Sequence, residues 1–170
     1  KLFRAGGKLD DEDEEAVEAL LDARPPNGGS IDRVEGAADA YLDRVVNAFG
    51  SELAGLRLAL DCANGAFAGL AARAFERLGA DVTAIGDEPD GTNINLGCGA
   101  TDLTALQQRV TSGDFDLGVA FDGDGDRMLA VDGNGDVVDG DQIVAILALH
   151  LGVDRVAVTS MTNLGFHRLM

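Results

Sequence analysis

A chain of 170 residues is long enough for one ordinary domain and a little more, and its 46% hydrophobic content can bury a real core. Thirty acidic residues against 13 basic give a net charge of −17, which argues against nucleic acid as a partner, because that affinity rests on Lys and Arg displacing counterions. No run of about 20 apolar residues occurs, so no membrane-spanning helix and no membrane partner are expected. The segment Lys1–Gly7 lacks the apolar centre of a signal peptide, which points to the cytoplasm.

The acid excess fits a solvated surface that aids solubility, or a protein adapted to high intracellular salt. Composition does not separate the two. With seven Phe, one Tyr and no Trp, the core must be built mainly from Ala, Val, Leu and Ile. Cys62 and Cys98 have no zinc-like spacing and are expected as free thiols. Cys62 ends an apolar run and should pack as a small hydrophobe, whereas Cys98 lies between two glycines in a loop.

In chain order, Asp10–Leu21 reads as an amphipathic helix with an acidic first turn and Val17, Leu20 and Leu21 as its stripe. Ala23–Ser30, with two prolines and two glycines, reads as a connector and as the best domain boundary. Ala37–Phe49 is a second helix. An α/β alternation follows: strand Leu56–Leu60, helix Ala66–Leu78 closed by Gly79, strand Ala80–Ile85, a polar loop, helix Asp102–Val110, then strands Asp116–Phe121 and Met128–Val131. The Asn-Gly within Asp132–Asp136 predicts a hairpin turn with positive φ angles. Helix Asp141–Leu149, strand Arg155–Val158 and helix Asn163–Met170 complete the pattern. The expected fold class is α/β in three layers: a mostly parallel mixed sheet, helices on both faces, and a hairpin after the acidic loop 122–127.

The segment richest in chemistry is Phe121-Asp122-Gly123-Asp124-Gly125-Asp126-Arg127, directly after a strand. Carboxylates at i, i+2 and i+4 share one side of an extended segment, and the glycines let the backbone curl so that the oxygens converge. Three anions that close repel unless a cation sits among them, and hard cations, Mg²⁺ above all, match such oxygen donors. An EF-hand loop fails in both registers. From Asp122 the sixth position is Arg127 and the twelfth Gly133; from Asp132 they are Val137 and Ile143, where Gly and Glu are required. Gly97–Asp102 starts like a dinucleotide fingerprint but has Asp102 at its third glycine and follows a loop. Ser30, Ser51 and Ser112 have no His nearby in sequence, and His150 and His167 read as packing or surface residues. No acid–base pair or covalent group stands out.

Asp122-Gly-Asp-Gly-Asp-Arg127 resembles the metal loop of the α-D-phosphohexomutase superfamily, and Leu60–Ala66 resembles the strand and turn that open its second domain. Gly91–Thr101, Gly140–Ile143 and Ser160–Gly165 are similar to the phosphoglucosamine mutase branch, although Ala100 stands where many relatives have Ser. The resemblance implies a phosphoserine in a first domain that phosphorylates a sugar phosphate, giving a bisphosphate that reorients and returns its other phosphoryl group. It implies Mg²⁺ held by Asp122, Asp124 and Asp126 together with the serine phosphate, and Arg127 neutralising that phosphate or bracing the loop. The serine motif and the later substrate loops are absent, so the chain alone is expected to be inactive. Residues 1–30 would close domain one, 31–152 form domain two, and 153–170 open domain three. The implied reaction interconverts glucosamine 6-phosphate and glucosamine 1-phosphate, toward cell-wall precursors. The alternatives are a phosphomannomutase or phosphoglucomutase and, in another class, a non-catalytic divalent-cation module. The implied partners are a phosphosugar and the phosphoserine of domain one; a homodimer stays open.

Overall fold

The computed structural model describes residues 3–23, 30 and 32–170. Residues separate into two compact units, 1–35 and 36–170, each described by itself. The expected connector falls almost wholly on residues outside the described set.

In the first unit, β1 (Phe3–Arg4) and β2 (Gly7–Lys8) form a short antiparallel hairpin, which the sequence patterning does not reveal. Helix α1 (Asp11–Glu18) is started by Asp10, whose carboxylate accepts the Asp13 amide at 2.9 Å. Arg4 and Lys8 pair with Asp13 and Glu14 in the acidic first turn, at 2.7 and 3.6 Å. The helix is shorter than expected, and Val17, Leu20 and Leu21 stay exposed.

The second unit is built on a five-stranded sheet of order β4-β3-β5-β6-β7. Its strands are β3 (Arg57–Asp61), β4 (Asp81–Ile85), β5 (Leu117–Phe121), β6 (Met128–Asp132) and β7 (Val137–Val138). β3 pairs in parallel with β4 and β5, whereas β5–β6 and β6–β7 are antiparallel. The sheet is therefore mixed, with β3 in the middle of its three parallel strands.

Side-chain alternation assigns the faces. Leu58, Leu60 and Cys62 join Val119, Ala71 and Ala80 on one side, with Phe67, Phe75 and Phe121 packed against them. Ala59, Ala120 and Val131 meet Leu106, Val110 and Phe115 on the other. Helix α3 (Ala71–Arg77) covers the first face and α4 (Thr104–Ser112) the second, giving the expected three layers. Small residues let α4 sit close: a Cβ at Gly118 would lie 2.7 Å from the Val110 side chain. Helix α2 (Ala37–Phe49) packs on α3, and Arg73 and Arg77 of α3 pair with Asp39 and Asp43 of α2.

Helix α5 (Gly140–Leu151) opens with a capping box between Asp139 and Gln142, so the Gly140–Ile143 motif supplies a helix start. Asn163 caps α6 (Leu164–Leu169), and its amide donates to Asp141 at 2.7 Å, fastening α6 to α5. Arg155–Val158, expected as a strand, forms no ladder in the structure. The Asp132–Asp136 turn is a hairpin as expected, but of its Asn-Gly pair only Gly135 takes positive φ, at 91°. Among the described residues, no helix is long and apolar enough to cross a membrane.

Candidate metal centre

The order β4-β3-β5 means that the chain leaves β3 toward one neighbour and returns on the other side. Open α/β sheets bind ligands at such a reversal, beyond the carboxyl ends of the strands. Two segments meet there: the turn Cys62–Ala66 after β3 and the loop 122–127 after β5.

The acidic loop is itself the connection of an antiparallel hairpin, since Phe121 pairs with Met128 across β5 and β6. The first and last loop residues close it. The Asp122 amide donates to the Arg127 carbonyl at 3.2 Å, and the Arg127 amide donates to Asp122 Oδ1 at 3.0 Å. Arg127 Nε and Nη2 reach Asp122 Oδ2 at 2.9 and 2.8 Å, and Nε lies 3.6 Å from Asp126. Asp122 is only 5% exposed, whereas Asp124, Asp126 and Arg127 face solvent. The Arg127 amide, then its guanidinium, hold the Asp122 carboxyl below the usual carboxylate range, and Asp122 in turn pushes the guanidinium up.

One carboxylate oxygen from each of Asp122, Asp124 and Asp126 lies within 4.8 Å of the others, and among the described residues no other His, Cys, Asp or Glu group of this kind occurs. Opposite ligands of one Mg²⁺ stand about 4.2 Å apart, so a small closure would let all three oxygens share an ion. The donor set and spacing therefore fit a hard divalent cation. The loop curls on itself: the Gly125 amide turns back to the Asp122 carbonyl at 3.1 Å, and Gly125 takes φ +75°. The segment is not extended, so the expected alternation of side chains along a strand does not operate here.

The end of β3 carries a group that sequence reasoning passed over. Asp61, the last residue of β3, is fully buried; its Oδ1 accepts the Ala63 amide at 3.0 Å and its Oδ2 has no hydrogen-bond partner. Burial pushes this carboxyl up, and the Ala63 amide opposes the shift. Ala63 and Asn64 then take left-handed angles, φ 56° and 47°, unusual without glycine. Asn64 repays that strain by reaching three segments. Its amide donates to Gly86 at 2.6 Å, its Oδ1 accepts from Glu88 at 3.1 Å, and its Nδ2 approaches the Asn93 carbonyl at 3.4 Å and Cys98 Sγ at 3.6 Å. The signal for both residues was a carboxylate at the end of an apolar strand, followed by Ala-Asn-Gly.

Cys98 is buried, as is Cys62, and both are free thiols. Burial pushes the Cys62 thiol up to about 12, and Cys98 upward as well, which disfavours the thiolate that a nucleophile needs. Gly99–Thr101 forms a single 3-10 turn, and Asp102 accepts the Thr104 amide, which leaves no dinucleotide site.

The fold and site together define an α/β/α domain that presents a carboxylate-lined loop at the carboxyl ends of its parallel strands. Residues 35–135 match the family model described as phosphoglucomutase/phosphomannomutase, alpha/beta/alpha domain II, and the chain belongs to that family. It is 46% identical over 182 residues to the phosphoglucosamine mutase of Thermobifida fusca, a match that takes in all of this chain and 40% of the relative. Against the phosphoglucosamine mutase of Nocardia farcinica the identity is 43% over 199 residues, covering all of this chain and 43% of that one. The chain thus spans about two-fifths of the length of these curated relatives. Among solved structures, a phosphoglucomutase/phosphomannomutase family protein from Burkholderia thailandensis superposes with a TM-score of 0.65 at 28% identity, over 85% of this chain and 32% of that chain.

Proposed function

We propose that this chain supplies the metal-binding domain of a phosphoglucosamine mutase. That enzyme would interconvert glucosamine 6-phosphate and glucosamine 1-phosphate through a phosphoserine and a bisphosphate intermediate. The observation that carries the reading is the convergence of Asp122, Asp124 and Asp126 at the sheet's reversal point, in a chain whose named relatives are phosphoglucosamine mutases.

Asp122, Asp124 and Asp126 would hold Mg²⁺. Bound there, the ion would offset charge on a phosphoryl group in transfer, the main demand of that chemistry. Asp122, fixed by Arg127, is the anchored ligand; Asp124 and Asp126, on the exposed arc, close onto the ion. Arg127 keeps most of its side chain in solvent, 80% exposed, while one edge grips Asp122. Its remaining N–H groups can meet a phosphate arriving from another domain, and a planar guanidinium suits that contact better than an ammonium. The phosphoserine and phosphosugar are partners on this reading. Residues 1–30 and 153–170 would belong to the neighbouring domains.

The test is turnover of the full-length protein on glucosamine, glucose and mannose phosphates, with and without Mg²⁺. A Mg²⁺-dependent preference for glucosamine phosphates supports the proposal. Preference for mannose or glucose phosphates moves the chain to a sister activity, and no turnover on any of them with retained cation binding would leave a non-catalytic module.

A further inference from the structure

The turn after β3 and the acidic loop approach more closely than side chains allow. A Cβ placed on Gly65 would stand 2.3 Å from the Gly123 carbonyl oxygen and 2.9 Å from its carbonyl carbon. Those are backbone atoms, which cannot swing aside as a side chain does. Gly65 is not among the residues with positive φ, so its own backbone conformation does not demand glycine. Its missing side chain serves the approach alone. The approach has a product: the Ala66 amide donates to the Gly123 carbonyl at 2.9 Å, fixing the loop between Asp122 and Asp124.

A second segment crowds Gly123 where its own side chain would be. A Cβ there would lie 2.8 Å from Ile94 Cδ1 and 2.9 Å from Asn95 Nδ2. The two flanking segments are tied to each other, because the Asn95 amide donates to the Ala63 carbonyl at 2.9 Å. Asn95 holds left-handed angles, φ 57°, as do Ala63 and Asn64. Backbone strain of this kind persists where surrounding contacts over-determine it.

We propose that Gly65 and Ile94 are positioning residues that clamp Gly123 between two segments and thereby set the spacing of the Asp122, Asp124 and Asp126 carboxylates for a divalent cation. Neither residue touches the cation. The clamp lowers the cost of gathering three anions by fixing the peptide between the first two before the ion arrives. Supporting shells of this kind commonly change metal affinity about 10–100-fold. The inference rests on the acidic loop being a cation site, and the experiment separates the two ideas.

Mn²⁺, a spectroscopic stand-in for Mg²⁺, is titrated into the full-length protein and followed by the electron paramagnetic resonance of the free ion. Wild type, Asp124→Asn, Gly65→Ala, Ile94→Ala and Gly118→Ala are compared, each with its melting curve. Gly118→Ala is the control: its new Cβ meets Val110 and Leu106 under α4, away from the loop. Gly65→Ala is expected to weaken Mn²⁺ binding about tenfold or more, and Ile94→Ala about threefold. Gly118→Ala should melt lower with unchanged affinity. If Gly65→Ala does not fold, Ile94→Ala decides, since Ile94 is half exposed and its truncation is mild. Wild-type affinity in a folded Gly65→Ala, or in Ile94→Ala when Gly65→Ala does not fold, overturns the clamp. An equal loss in Gly118→Ala overturns it too, by tracing the effect to general destabilisation. If wild type and Asp124→Asn bind alike, the loop is not a cation site and both ideas fall.

Discussion

Arg127 holds Asp122 twice over, by its main-chain amide on one carboxylate oxygen and by its guanidinium on the other. The two residues are the first and last of the acidic hairpin loop, so one pairing both closes the loop and orients its only buried carboxylate. A cation entering the loop must share Asp122 with that guanidinium. On the proposed reading, Arg127 would both brace Asp122 and meet incoming negative charge.

Replacing Arg127 by Lys separates these roles. The backbone amide stays on Oδ1, so the loop remains closed. The forked donor is lost, and with it any bidentate hold on a phosphate. Turnover of the phosphorylated full-length enzyme is expected to fall on the order of tenfold or more, with little change in melting temperature or Mg²⁺ affinity. Unchanged turnover would reduce Arg127 to a counter-charge, and loss of folding would make it a structural brace.

Asp61 should leave a mark on the pH dependence of stability. Its folded carboxyl titrates above the ordinary value of 3.8 because burial disfavours the anion. The folded state therefore keeps this proton to higher pH than the unfolded chain does. The associated stability is full below 3.8 and is lost as pH rises through the folded value. Asp61→Asn cannot ionise, so its stability relative to wild type should rise as the pH is raised above the ordinary carboxylate value in denaturant titrations. The amide also puts a donor where Oδ2 has no partner, a fixed cost, so the slope rather than the offset is diagnostic. A flat difference would contradict the burial account. Asp61→Ala strands the buried Ala63 amide and should cost about 1–3 kcal/mol at any pH.

Both thiols should be silent toward a thiol reagent near neutral pH in the folded protein, and both should react once it is unfolded. Cys62 and Cys98 are buried and their thiolates are disfavoured, Cys62 to about 12. Fast stoichiometric labelling of Cys98 under native conditions would show that the loop around it opens.

Much of this was legible in the residues, and the departures have physical causes. The apolar runs at Leu58–Leu60 and Val119–Ala120 announced strands buried on both faces, and they form the sheet's centre. The acidic loop was found by composition and spacing, but its geometry comes from a closed turn that only long-range pairing of β5 with β6 creates. Helix α3 begins five residues later than the Ala-rich pattern suggests, because the preceding amides have tertiary partners. Ala66 donates to Gly123, and Gly69 donates to Asp87 at 2.7 Å. Arg155–Val158 has strand composition yet no neighbouring strand among the described residues, and a strand exists only through its partner. The contact of Gly65 with Gly123 spans 58 positions of sequence, beyond any local pattern.

The central claim is that Asp122, Asp124 and Asp126 act together as one divalent-cation site. Isothermal titration of Mg²⁺ into the full-length protein and into each single Asp→Ala variant tests it most directly. One site is expected in the wild type, and a loss of affinity of at least about tenfold in every variant, without loss of fold. Wild-type affinity in all three variants would contradict it.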